Sequence, residues 1–145
     1  MHRHRPAQLL LTVALGLVLS GCGQSVLEAT SPPGFAVEPI DGSQVKRVIL
    51  SEDTADRLGI ETARVVKDPS GRFRVPAAAV YYDPNGATWV YTNPEARVYV
   101  RVPIKVDTIK AGVAELSEGP APDTRVVTVG VAELFGTETG VGDPE

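Results

Sequence analysis

The chain has 145 residues, 14 Lys and Arg against 18 Asp and Glu, two histidines and one cysteine, for a net charge of −4. That length supports one modest domain, or two very small ones, with a real core. A single cysteine excludes an internal disulfide, and no basic stripe of the kind that binds nucleic acid is visible.

The first residues concern location. His2, Arg3, His4 and Arg5 precede an apolar run from Leu9 to Leu19, which Thr12 and Gly16 interrupt, and then come Ser20, Gly21 and Cys22. A helix that spans a bilayer needs about 20 apolar residues, so this shorter run reads as a cleaved export signal over residues 1–21. The four residues Leu19, Ser20, Gly21 and Cys22 resemble the lipobox of bacterial lipoproteins. There the cysteine receives a diacylglyceryl group, the peptide is cut just before it, and the new amino terminus is often acylated as well. The resemblance therefore implies lipidation at Cys22 and a protein held by lipid on the extracytoplasmic side of a cell membrane. The alternative, an ordinary secretory signal followed by an incidental Cys, would leave a free thiol in an oxidising compartment.

Cleavage before Cys22 leaves 124 residues, and the loss of Arg3 and Arg5 leaves 12 basic residues against 18 acidic ones, a net charge of −6. Both histidines leave with the signal, and a lipidated Cys22 is blocked as a thioether. The mature chain then has no imidazole for general-base work, no thiol nucleophile, and no His or Cys to ligate zinc or copper. The expectation is a protein that is not an enzyme and carries no cofactor or metal.

Residues 22–44 mix Gly, Ser, Pro and acidic residues without periodicity and read as a lipidated cysteine followed by a tether. A small β domain is expected over residues 45–136. In it, Val45, Val48 and Leu50 suit a short strand. Ser51 is a natural N-cap, Glu52 and Asp53 suit the positive helix start, and Gly59 suits a left-handed close, which predicts a helix over Glu52–Leu58. The stretch "IETARVV" returns to strand.

Along "RFRVPAAAVYY", Phe73, Val75, Ala77, Ala79 and Tyr81 share one face and Arg72 and Arg74 the other. "DPNG" at residues 83–86 predicts a turn, with Pro84 and Gly86 at the positions of fixed and positive φ, and the chain reverses into a strand at Trp89–Thr92. "NPEA" at residues 93–96 predicts a second turn. In "RVYVRVPIKV", Val98, Val100, Val102, Ile104 and Val106 alternate with Tyr99, Arg101, Pro103 and Lys105, as a half-buried strand requires. Pro103 cannot donate to a ladder and implies an edge or a bulge. "VAELSEG" and "TRVVTVGVAEL" supply two further strands, separated by the Pro-containing loop at residues 119–123. Residues 137–145, within a polar, Gly-rich end, read as a frayed tail. The fold class is mostly β, a small antiparallel barrel or roll with one short helix.

Three groups of residues invite functional readings. Tyr81, Tyr82, Trp89, Tyr91 and Tyr99 could form an aromatic platform, but cross-strand packing is the favoured account. Arg72, Arg74, Arg97 and Arg101 could meet acidic partners or anionic headgroups; a solvated outer face is favoured. Asp83 and Asn85 are explained by their turn without calcium.

The segments "LSEDTADRLGIETARV", "VPAAAVYYDPNGATWVYTNPEARVYVRVPIKV" and "GVAELSEGPAPDTRVVTVGVAELFGTETGV" resemble the periplasmic adaptor subunits, or membrane fusion proteins, of bacterial efflux transporters. In that family a "VP-small-small-AV" strand leads through a turn to a Trp-Val-Tyr strand. An alternating strand follows, then a "V-x-x-L-x-x-G" segment and a "D-x-V-V-x-x-G" segment. Here these are residues 75–80, 89–91, 113–119 and 123–130, with Arg125 one residue more than the last pattern. Family members also carry a long helical hairpin and a lipoyl-like domain, where this chain has only "VKDPSGRFR". The resemblance implies docking of the membrane-proximal part against an integral-membrane transporter, with self-association left open and no contact with an outer-membrane channel. The alternatives are a surface lipoprotein that binds a small molecule or envelope polymer in the mouth of the barrel, and a sensor-like accessory protein without a transporter.

Overall fold

The computed structural model describes residues 34–140, which form two antiparallel sheets and two helices. The chain runs β1 (Phe35–Pro39), β2 (Lys46–Leu50), α1 (Glu52–Leu58), β3 (Glu61–Arg64), β4 (Val66–Lys67) and β5 (Phe73–Pro76). A 3₁₀ turn at Ala77–Ala79 leads to β6 (Tyr81–Tyr82). Then follow β7 (Thr88–Glu95), β8 (Val98–Pro103), β9 (Lys105–Lys110), β10 (Val113–Glu118), β11 (Arg125–Val129) and α2 (Val131–Thr139). The seven-stranded sheet has the order β1-β2-β8-β7-β11-β3, with β6 beside the start of β7; the four-stranded sheet has the order β4-β5-β10-β9.

Local chemistry sets α1 where the sequence predicts it. Ser51 Oγ accepts from Thr54 N at 3.2 Å, and Gly59, at φ 60°, closes the helix with its N–H on the carbonyls of Ala55 and Asp56. The turn after β6 forms the same way. Gly86 sits at φ 82°, and Asp83 Oδ1 accepts from Asn85 N and Ala87 N, both at 2.9 Å.

Two apolar clusters hold the layers together. Between the sheets lie Val65, Val75, Ala79, Val90, Ile104, Ala114, Leu116 and Val126. On the other face of the large sheet, Val48, Leu50, Tyr91, Tyr99 and Val127 meet Val131 and Leu134 of α2, with Ala55 and Leu58 of α1 packed against them. Strands β7 and β11 thus send successive residues, Val90 then Tyr91 and Val126 then Val127, into opposite clusters. They are covered on both faces, unlike a half-buried strand.

Several expectations are corrected. The sheets do not close into a barrel: β1 and β3 end the path of the large sheet, with β6 paired only to β7, and β4 and β9 end the small one. Residues Phe35–Pro39, read as tether, form β1, because five register pairs with β2 occupy their backbone groups. The run through residues 72–82 is not one strand. Pro76 has no N–H to continue a ladder, the 3₁₀ turn follows, and Tyr81 emerges in the other sheet. The run through residues 97–106 likewise divides at Ile104, whose N–H goes to Thr88 O at 3.0 Å while β9 joins the small sheet. Pro103 stands at that crossing. Strand β7 continues to Glu95, so the second turn lies at Ala96 and Arg97, with Arg97 at φ 62°. Finally, Val131–Leu134, at the end of "TRVVTVGVAEL", belong to a second helix, and residues 137–139, read as frayed tail, are its last turn.

Candidate functional site

The last turn of α2 carries Glu138, which is 2 % exposed. Val131, Leu134 and Glu138 share one face of the helix, so the stripe that docks the helix also carries its carboxylate into the core. There Glu138 Oε2 accepts from the Tyr91 hydroxyl at 2.5 Å. Glu138 Oε1 accepts from Arg101 Nε at 2.9 Å and from Lys46 N at 3.1 Å. The guanidinium of Arg101 stacks over the Trp89 ring at 4.4 Å and lies 5.7 Å from the ring of Phe135. Burial, reinforced by the hydrogen bond to Glu138 and its charge, pushes the Tyr91 phenol well above the usual range.

This cluster is chemically quenched. Both carboxylate oxygens of Glu138 have partners, and among the described residues no buried side-chain polar atom lacks one. It ties β2, β7, β8 and α2 into one unit.

The aromatic residues behave as packing. Tyr91 and Tyr99 are buried, Tyr81 stacks on Phe135 at 4.5 Å, and Trp89 covers Arg101 while its Nε1 donates to Asp83 Oδ2 at 3.1 Å. Only Tyr82 of that set is strongly exposed, at 55 %. Burial pushes the Asp83 carboxyl up, but the hydrogen bonds from Trp89, Ala87 and Asn85 outweigh it and hold the carboxyl below its usual value. The arginines separate. Arg101 is interior; Arg72 pairs with Glu115 at 2.9 Å on the outer face of the small sheet; Arg97 supplies a turn carbonyl to Leu50 N. Arg74 has only a 4.0 Å approach to Glu115. Cys22 lies outside the described residues.

A groove of about 380 Å³ opens between β3 and the corner where β5 meets β10. Its walls include Ala63, Val66, Val75, Pro76 and Val113, and Arg64 and Arg74 stand at its rim. Val66 is 58 % exposed there. A smaller cleft of about 240 Å³ lies between β1 and the end of α2, with the bonded Glu138 at its base. Among the described residues no group of three or more His, Cys, Asp or Glu is arranged to hold a metal ion.

Sequence reasoning missed Glu138 and the groove. The first had a signal: Val131, Leu134 and Glu138 at i, i+3 and i+7 put a carboxylate in an apolar stripe. The second had none, since its walls come from strands whose divergence is a property of the folded sheets.

No family model, no curated protein and no solved structure matches this chain.

Proposed function

We propose that this protein is a lipid-anchored lipoprotein on the extracytoplasmic side of a membrane that serves as an adaptor-like accessory subunit of an efflux transporter, docking on the transporter's extracytoplasmic face. The observation that carries the reading is how the segments resembling the adaptor family lie in the fold. The "VPAAAV" segment is the corner joining the two sheets, "TWVY" and "TRVVTV" are the adjacent doubly covered strands β7 and β11, and "VAELSE" pairs with the corner strand β5. Where the family carries its hairpin and lipoyl-like domain, β4 and β5 are joined by a tight turn, in which Gly71 N bonds Asp68 O at 2.9 Å. That favours an accessory role over construction of a full tunnel.

The mechanism is mechanical. Eleven residues separate Cys22 from Gly34, a reach of at most about 40 Å, so the β body stays close to the bilayer that holds the lipid. Two or more acyl chains anchor stably where one is marginal, and the anchor turns docking into a local event at high effective concentration.

The test is a mild-detergent pull-down of the C-terminally tagged protein from native membranes, with mass spectrometry of the co-purified proteins and Cys22→Ser as control. One polytopic transporter enriched with the wild type, and depleted with Cys22→Ser, is the expected result. Recovery of the protein alone, after cross-linking as well, would overturn the docking claim. An unchanged amino-terminal mass and full membrane retention for Cys22→Ser would overturn the anchor.

A further inference from the structure

The groove beside β3 exists because the chain changes sheets at a single residue. Val65, between β3 and β4, is buried; its N–H donates to Thr124 O and its carbonyl accepts from Asp123 N, both at 2.9 Å. Strand β4 then pairs with β5 only through Val66↔Arg74 and Lys67↔Phe73. Val75 and Pro76 pair with Ala114 and Val113 on their other side, but no strand covers them on this one. The gap is lined by aliphatic side chains. At its end Gly112, at φ 77°, presents bare backbone, with nothing within 4 Å of where a Cβ would stand.

The charges lining this gap are basic, and the nearest carboxylate, Glu115, stands opposite Arg74 in the β5–β10 register. Arg64 and Arg74 rim the gap, and Arg125 stands directly opposite Arg64 in the β3–β11 register. Like charges facing each other across strands destabilise a sheet. Among the described residues neither Arg64 nor Arg125 has a carboxylate within 4.0 Å; Arg64 donates instead to the backbone carbonyl of Asp123 at 3.2 Å. The Glu115 that Arg74 approaches at 4.0 Å is already held by Arg72 at 2.9 Å. In a chain of net charge −4, this leaves Arg64, among the described residues, without a carboxylate partner beside an open apolar slot, with Arg74 sharing the Glu115 opposite it with Arg72.

We propose that the groove binds a single-chain anionic amphiphile, with its carboxylate or phosphate head held by Arg64 and Arg74 and its hydrocarbon chain lying on Val66, Val75, Pro76 and Val113. Guanidinium forks match such head groups in a charge-assisted, bidentate way. The volume falls in the range of sites that take one small molecule. The slot is shallow and largely open to solvent, so a single chain would lie along its aliphatic wall; a bilayer contact would ask for a broader basic face than the two groove arginines provide. The site stands apart from the docking reading and does not depend on it.

The test uses the full chain in phosphatidylcholine nanodiscs, labelled with a photoreactive diazirine derivative of dodecanoic acid and mapped by peptide mass spectrometry. Adducts are expected on the peptides carrying Val66 and Val113. Excess dodecanoate or dodecyl phosphate should remove them, and dodecanol or acetate should not. Loss of two charged hydrogen-bond partners in Arg64→Gln with Arg74→Gln is expected to lower labelling roughly tenfold or more. Arg64→Gln alone, at an exposed side chain bonded only to a carbonyl, should lower it about threefold and serves if the double variant does not fold. Arg47→Gln, on β2, should leave it unchanged. Adducts spread evenly over exposed apolar residues such as Phe35 and Ile109, dodecanol competing as well as dodecanoate, or wild-type labelling of Arg64→Gln would each overturn the proposal. Suppression by phosphatidylglycerol in the disc equal to that by free dodecanoate would overturn it in favour of a membrane contact.

Discussion

The two faces of the large sheet are buried by different means. The face toward the small sheet is largely aliphatic, with Val90 and Val126 meeting Val75 and Leu116 of the small sheet and Phe73 packed beside them. The face toward the helices mixes aliphatic residues with two tyrosines and holds the bonded Glu138, Arg101 and Tyr91. Aliphatic packing is non-directional and tolerates exchanges that conserve volume. A buried carboxylate with directional partners does not, because any shift of α2 leaves charge and hydroxyl unsatisfied. The sheet–sheet interface therefore supplies the bulk of the core, and the polar cluster sets the seat of α2.

Removing Glu138 is the sharpest way to break that contrast. Glu138→Ala leaves a nearly buried Arg101 and the Tyr91 hydroxyl without their partner and is expected to cost about 3–5 kcal/mol, read from urea unfolding. The triple replacement Tyr91→Phe, Arg101→Met and Glu138→Leu should recover most of that loss, since apolar groups of similar size often match a buried ion pair in stability. A loss below about 1 kcal/mol for Glu138→Ala would mean that apolar contacts alone seat the helix.

Leu116→Ala probes the other face. It removes a fully buried side chain between the sheets, and a cost of about 3 kcal/mol is expected, with the same value at pH 7 and pH 11. A pH-dependent cost would place titrating groups in an interface that is aliphatic.

The last effect is read in alkali. Burial raises the pKa of Tyr91, and of Tyr99 as well, so in the folded state each phenol holds its proton above the unfolded value of about 10. The unfolded chain loses these protons first. Their contribution is fully present below pH 10 and is lost as pH rises, at up to about 1.4 kcal/mol per pH unit for each tyrosine. Tyr91→Phe should therefore flatten the decline in urea midpoint between pH 10 and 12. An unchanged slope would show that Tyr91 is not held in this way.

How far the sequence could be read follows from the distance over which each feature is decided. Ser51, Thr54 and Gly59 settle α1 within nine residues, and Asp83, Asn85 and Gly86 settle their turn within four. The mostly β class followed from alternation that any extended pairing would satisfy. The breaks at Pro76 and Ile104, the open edges and the second helix depended on which sheet each segment joined. Glu138 is 37 residues from Arg101, 47 from Tyr91 and 92 from Lys46, and the groove needs β3 and β5 to diverge around Val65. Caps, turns, strand character and the cysteine motif are legible along the chain, because each is settled by a few neighbouring residues. Where the strands change sheets, which carboxylate is buried and that Arg64 has no carboxylate beside it among the described residues depend on partners that folding alone brings within reach.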